Sequence, residues 1–178
     1  MRLFMRRYCL LLVAAAFTVL SCDKEDRKNT YANQEAAIDS YVAGFSVENR
    51  VVYRKGSVRV VIQEGTSVDT LKRGDSLYFY FSGYTFNYGR GSLFATNVKE
   101  VAEAADFYTD GLPKKIKYGS DAMIEGLKNG LEGMRVGENS YIMFSGKYGY
   151  GNQIMFNIPK MTPLFFDITI DKIIKNDK

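Results

Sequence analysis

Apolar positions along the chain alternate between two spacings, and these divide it into elements. Over residues 31–43, Ala37, Ile38, Tyr41 and Val42 recur at helical spacing and Gly44 supplies a stop. This predicts an amphipathic helix packed on the body of the protein. Period-two patterns follow. Val51 to Tyr53 and Ser57 to Gln63 predict two strands, the second with Val58, Val60 and Ile62 alternating. Leu77 to Phe81 predicts another, with Leu77, Phe79 and Phe81 on one face and Tyr78 and Tyr80 on the other. Arg73-Gly74-Asp75 before it is a turn signal. Tyr141 to Ser145 and Leu164 to Ile173 complete the strands. In the last, Leu164, Phe166, Ile168 and Ile170 face one way, while Phe165, Asp167, Thr169 and Asp171 predict a mostly solvated second face. Between these two, Asp121 to Leu131 carries Met123, Ile124, Leu127 and Leu131 as a helical stripe. Ser120 or Asp121 is available to cap it, and Gly130 and Gly133 mark its end. A short helix against one face of an antiparallel sheet is an α+β plan. No internal repeat or second domain is visible.

The start of the chain follows neither pattern. Arg2, Arg6 and Arg7 precede an apolar run from Leu10 to Leu20, interrupted only by Thr18. The run is shorter than the ~20 residues that span a bilayer. A basic start, a short apolar core and small residues at its end describe a signal peptide over residues 1–21. Val19-Leu20-Ser21-Cys22 resembles a bacterial lipobox. That resemblance implies cleavage before Cys22 and lipidation of it, where several acyl chains anchor stably and one binds only marginally. The alternative is a plain secretory peptide with an incidental cysteine. Asp23-Lys24-Glu25-Asp26 resembles the surface-export signal of Bacteroides-type lipoproteins, and residues 22–30 read as a polar tether. The implied address is the cell envelope, as an outer-membrane lipoprotein facing periplasm or cell surface.

Composition narrows the chemistry. Removing Arg2, Arg6 and Arg7 from the formal +4 leaves a processed chain near +1, without the basic footprint that nucleic-acid binding requires. The chain has no histidine, and its cysteines are Cys9 and Cys22, one in the leader and one at the lipobox. A thiol nucleophile, a disulfide and a zinc site are thereby excluded from the processed domain. No calcium loop or phosphate-cradling glycine loop is present.

Four motifs, taken in order, resemble one family. Ile124-Glu125-Gly126-Leu127-Lys128-Asn129-Gly130-Leu131-Glu132-Gly133-Met134-Arg135-Val136-Gly137-Glu138 is similar to the V-I-x-G-W-x-x-G-L-x-x-M-x-V-G-E motif of FKBP-type peptidyl-prolyl cis/trans isomerases. Tyr148-Gly149-Tyr150-Gly151 resembles the family's Y-x-Y-G. Ile158-Pro159 and Leu164-Phe165-Phe166-Asp167-Ile168 resemble its ending, and Gly74-Asp75 and Phe81-Ser82-Gly83 stand where it has G-D and Y-T-G. The likeness runs from about residue 57 to 174. It implies an FKBP-like domain over 57–178, built as a curved antiparallel sheet wrapped around a short helix, with residues 31–56 as an extra helix and a lead-in strand.

The resemblance also implies a pocket. Phe94, Ile124, Tyr150 and Phe166 match residues that act on the proline, and Met123, Ile158, Phe81 and Leu127 match others that contact substrate. It implies no cofactor and no metal, and a proline-containing peptide or exported protein as client. Three positions depart from the family pattern. Phe81 replaces a tyrosine, Ala95 an aspartate, and Leu127 the floor tryptophan. Lys114 stands near another pocket aromatic, and the long segment Asn97 to Leu112 is expected to place a helix over the groove. Two readings follow: an isomerase or folding helper altered by these changes, or a non-catalytic peptide-binding lipoprotein that keeps the fold.

Overall fold

The structure, a computed structural model, describes residues 24–176. The expected signal peptide over residues 1–21 and the expected lipidation site Cys22 lie outside the described residues. Helix α1 occupies residues 24–43, so residues 24–30, expected as tether, are helical. Strands β1 (Arg50–Arg54), β2 (Ser57–Gln63), β3 (Ser76–Phe86) and β4 (Arg90–Thr96) follow. Then come α2 (Lys99–Ala104), β5 (Lys114–Lys117), α3 (Glu125–Leu131), β6 (Asn139–Phe144), a 3-10 turn at Gly146–Tyr148, and β7 (Leu164–Ile174).

The strands form one antiparallel sheet in the order β1-β2-β6-β7-β3-β4, with β5 paired to β3 beside β4. This corrects the expected curvature. The two ends of the order do not pair, so the sheet is open and does not curl around a helix. α3 has seven residues, about 10 Å of helix, and packs chiefly on β6, β2 and β1. It covers part of one face and leaves the rest of that face to other groups.

The second face is solvated only in part: Asp171 is exposed and Asp167 and Thr169 are half-buried, as expected, but the rest is covered. Phe165, Met143, Val58 and Val60 are buried there under Ile38 and Val42 of α1. Asp167 is tied down by Arg90 and Asn139. On the first face Leu77, Phe79, Ile142, Phe144, Leu164, Phe166 and Ile168 form the main core with Leu127 and Leu131. In β7 the alternation read from sequence holds through Ile170. A bulge opposite Tyr78/Phe79 then re-phases the strand, so that Ile173 also packs on this core.

Local chemistry places α3. A Cβ on Gly126 would stand 2.3 Å from the Phe144 ring, and one on Gly130 would stand 2.3 Å from Ile142. Four residues apart, the two glycines share a helix face and let α3 lie directly on β6. The Ser57 hydroxyl donates to the Gly126 carbonyl (2.6 Å). Arg59 donates to the carbonyls of Gly130 (2.8 Å) and Glu132 (3.0 Å), closing the C-terminal end of the helix. Its Nε lies 3.4 Å from buried Glu138, and burial pulls the guanidinium's pKa down. The helix begins later than its apolar stripe: Ile124 is its N-cap and has no side-chain cap. Asp121, expected as a cap, instead accepts from the Lys117 amide (2.7 Å) and braces the turn after β5.

The edge of β3 is shared. β5 pairs with Ser76–Phe79 and β4 with Ser82–Phe86. Buried Asn97 fills the gap between them. It accepts from the Phe81 amide (2.6 Å) and donates to the carbonyls of Phe79 (3.1 Å) and Leu112 (3.0 Å). α2 follows on the β4 side, and no residue of 97–112 lines the hollow beside α3.

Candidate functional site

The part of the first face that α3 leaves uncovered is a hollow of about 650 Å³, within the range of small-ligand sites. Its walls come from five places, of which β5 contributes Lys114 and Ile116. β3 and β7 contribute Phe79, Phe81 and Phe166; β4 contributes Phe94 and Ala95. The extended segment entering α3 brings Ala122, Met123 and Ile124, with Leu127 one turn further on. The loop between β6 and β7 brings Tyr150, Met155 and Phe156.

Gly83 makes the aromatic wall possible. A Cβ there would meet the Phe94 ring at 2.8 Å and the Phe166 ring at 2.9 Å. Without one, the two rings meet edge to face, 5.7 Å between centroids at 83°. Phe166 is stacked from behind by Phe144 at 5.8 Å and 19°. Phe79 and Phe81 add a second aromatic pair at 5.8 Å. The wall is therefore rigid and apolar.

Polar groups are few. Tyr150 is half-buried, and burial alone raises its phenol pKa, with no charged or hydrogen-bonding neighbour contributing. The Ile124 amide donates to no backbone carbonyl among the described residues. Among the lining residues Lys114 carries the only charge. The described residues hold no cluster of three or more His, Cys, Asp or Glu side chains placed to bind a metal.

Of the residues singled out from sequence, Phe94, Ile124, Tyr150, Phe166, Met123, Phe81 and Leu127 all line this hollow. Ile158 does not: it is 1% exposed and belongs to the core. Met123 forms part of the wall and leaves the cavity open. Sequence reasoning missed Met155 and Phe156. The Phe156 ring is 87% exposed and its φ is +53°. It sits in a tight turn closed by two hydrogen bonds between the backbones of Met155 and Ile158. A bulky residue at positive φ is rare, but nothing in the residue order marks Phe156 for that position.

The family described as FKBP-type peptidyl-prolyl cis-trans isomerase matches residues 68–171. The chain is 28% identical over 128 residues to FK506-binding protein 4 of Chaetomium thermophilum, covering 67% of this chain and 24% of that protein. It is 37% identical over 68 residues to FK506-binding protein 4 of Mycosarcoma maydis, covering 38% of this chain and 18% of that one. The chain thus spans a quarter or less of the length of these curated relatives. Among solved structures, the three FKBP domains of wheat FKBP73 superpose with a TM-score of 0.61 at 16% identity, covering 72% of this chain and 52% of that one. The N-terminal domain of FKBP42 from Arabidopsis thaliana gives 0.58 at 16%, covering 71% and 93%. At that identity the likeness is one of fold. The family match spans more than half of the residues, and the chain belongs to the FKBP-type peptidyl-prolyl cis-trans isomerase family.

Proposed function

We propose that the chain binds Xaa-Pro segments of exported proteins in this hollow and speeds rotation about their prolyl bond. The observation that carries the reading is the convergence of Phe94, Ile124, Tyr150 and Phe166 on one apolar hollow in a chain of this family. Rotation about an imide breaks its conjugation against a barrier of ~18–20 kcal/mol. No proton need be abstracted and no covalent bond formed. A twisted amide is less dipolar than a planar one, so apolar walls favour the twisted state over either ground state. In this reading the Tyr150 hydroxyl and the Ile124 amide would hold carbonyls on either side of the proline.

Phe81, Ala95 and Leu127 favour a second reading. They leave the hollow with few polar side chains, so the chain would bind proline peptides without accelerating them. The two readings separate in one experiment. Exchange between cis and trans forms of a proline peptide is followed by NMR as the protein is added. Exchange that rises with protein concentration supports the isomerase. Saturable binding at the uncatalysed rate leaves the binding module, and no binding removes both.

The same proposal places the chain in the cell envelope, held through lipid on Cys22, on the outer membrane facing periplasm or cell surface. The basic start, short apolar core and Ser21-Cys22 support that address. Labelled palmitate should enter the wild type and not a Cys22→Ser variant; equal labelling, or none in either, would refute it.

A further inference from the structure

We infer that Lys114 makes the hollow selective for prolines flanked by an acidic residue, an inference that rests on the peptide-binding reading above. Lys114 opens β5, where its register partner on β3 is Phe79. Alternation along the strand puts Lys114 and Ile116 on the face that carries the hollow, and both line it. Lys115 and Lys117 take the opposite face, where Lys115 lies over the Tyr78 ring. Three lysines in four residues thus deliver a single cation to the site.

Nothing among the described residues neutralises that cation. Lys114 is exposed and forms no ion pair with a described residue. No Asp or Glu lines the hollow, and the position across from Gly83 on β4 is Ala95. A peptide whose proline enters the hollow against Phe94 and Phe166 therefore meets one positive charge, unpaired by any described residue, beside an otherwise apolar surface. A carboxylate next to the proline gains from it and an ammonium loses. Exposed charge pairs of this kind change affinity about two- to fivefold. The gain should fade in molar salt, where exposed charges more than ~3 Å apart are largely screened.

The test uses the full chain and three peptides that differ only before the proline: Glu, Gln and Lys. Binding is followed by chemical-shift titration and exchange by NMR on the same samples. The expected order of affinity is Glu, Gln, Lys in low salt, collapsing in high salt. Lys114→Met should flatten it and Lys114→Glu should reverse it. The same order in wild type and Lys114→Glu, or equal affinities in the wild type, overturns the inference while leaving any catalysis intact. The expected order without catalysed exchange sustains the inference and removes only the isomerase step. Failure of all three peptides to bind overturns both.

Discussion

Tyr150 and Phe166 both face the hollow, yet their substitution asks different questions. Phe166 is 3% exposed and stacked on Phe144, so truncation to alanine should cost ~3–5 kcal/mol of stability and would confuse folding with function. Tyr150→Phe removes only an oxygen that has no hydrogen-bonding neighbour in the unbound protein. Stability should change by less than ~0.5 kcal/mol, while a hydrogen bond worth ~0.5–1.5 kcal/mol to bound peptide is lost. Chemical denaturation and peptide titration check the two halves separately. Unchanged affinity would mean that the hydroxyl points away from the ligand. The residues legible in sequence were those whose motif neighbours also set their backbone, such as Ile124 before Gly126 and Tyr150 between two glycines. Ile158 carried the same kind of match but was drawn into the core by its turn with Met155. Phe79 was legible as one face of β3, but alternation alone cannot tell a core wall from a pocket wall.

At the scale of elements, α3 shows how propensity and packing oppose each other. Alanine in place of glycine raises helix stability by ~1 kcal/mol in isolation. At Gly126, however, the new methyl would stand 2.3–2.6 Å from the Phe144 ring, which is 1% exposed and cannot swing away. Gly126→Ala should therefore destabilise by ~1–3 kcal/mol net. A rise in melting temperature would show that α3 can lift from β6. Leu127 and Leu131 were legible as α3 from their helical spacing, whereas Met123 and Ile124 of the same stripe lie in the extended segment before the helix. Arg59 was not: it lies between Val58 and Val60, where alternation reads as a solvent-facing strand residue, and only the tertiary fold puts the end of α3 above it. The Arg73-Gly74-Asp75 turn was legible as a turn but not as a clamp. Burial would raise the Asp75 pKa, but hydrogen bonds from Lys175 and from the amides of Lys72 and Asn176 hold it below its ordinary value. In the acid range the unfolded chain then binds more protons than the folded one, so stability rises with pH there. The contribution is complete above the unfolded value near ~4 and is lost as pH falls through the lower folded value. Asp75→Asn should cost ~1–3 kcal/mol at pH 7, with the gap to wild type closing toward pH 2 in denaturant melts. A gap independent of pH would remove the charge from the account.

Over the whole molecule the family match begins at residue 68, so α1, β1 and β2 lie outside it. α1 buries the sheet face opposite the hollow, yet it also reaches the loop that carries Tyr150, Met155 and Phe156. The Gln34 side chain accepts from the Gly146 amide (2.9 Å) and donates to the Met161 carbonyl (2.6 Å), joining both ends of that loop. Glu35 accepts from the Ser145 hydroxyl beside it (3.0 Å). The added helix therefore acts on the hollow from behind the sheet, through backbone groups rather than through ligand contact. Gln34→Ala should lower stability by ~0.5–1.5 kcal/mol and weaken peptide binding as the loop loosens. Ile38→Val is the matched control, since it costs a similar ~0.5–1.5 kcal/mol through the core under α1 and leaves the loop's hydrogen bonds in place. If stability alone governed affinity, the two variants would bind peptide equally. Weaker binding by Gln34→Ala at equal stability would assign the loss to the loop, and make α1 part of the binding apparatus rather than only a cover for the sheet.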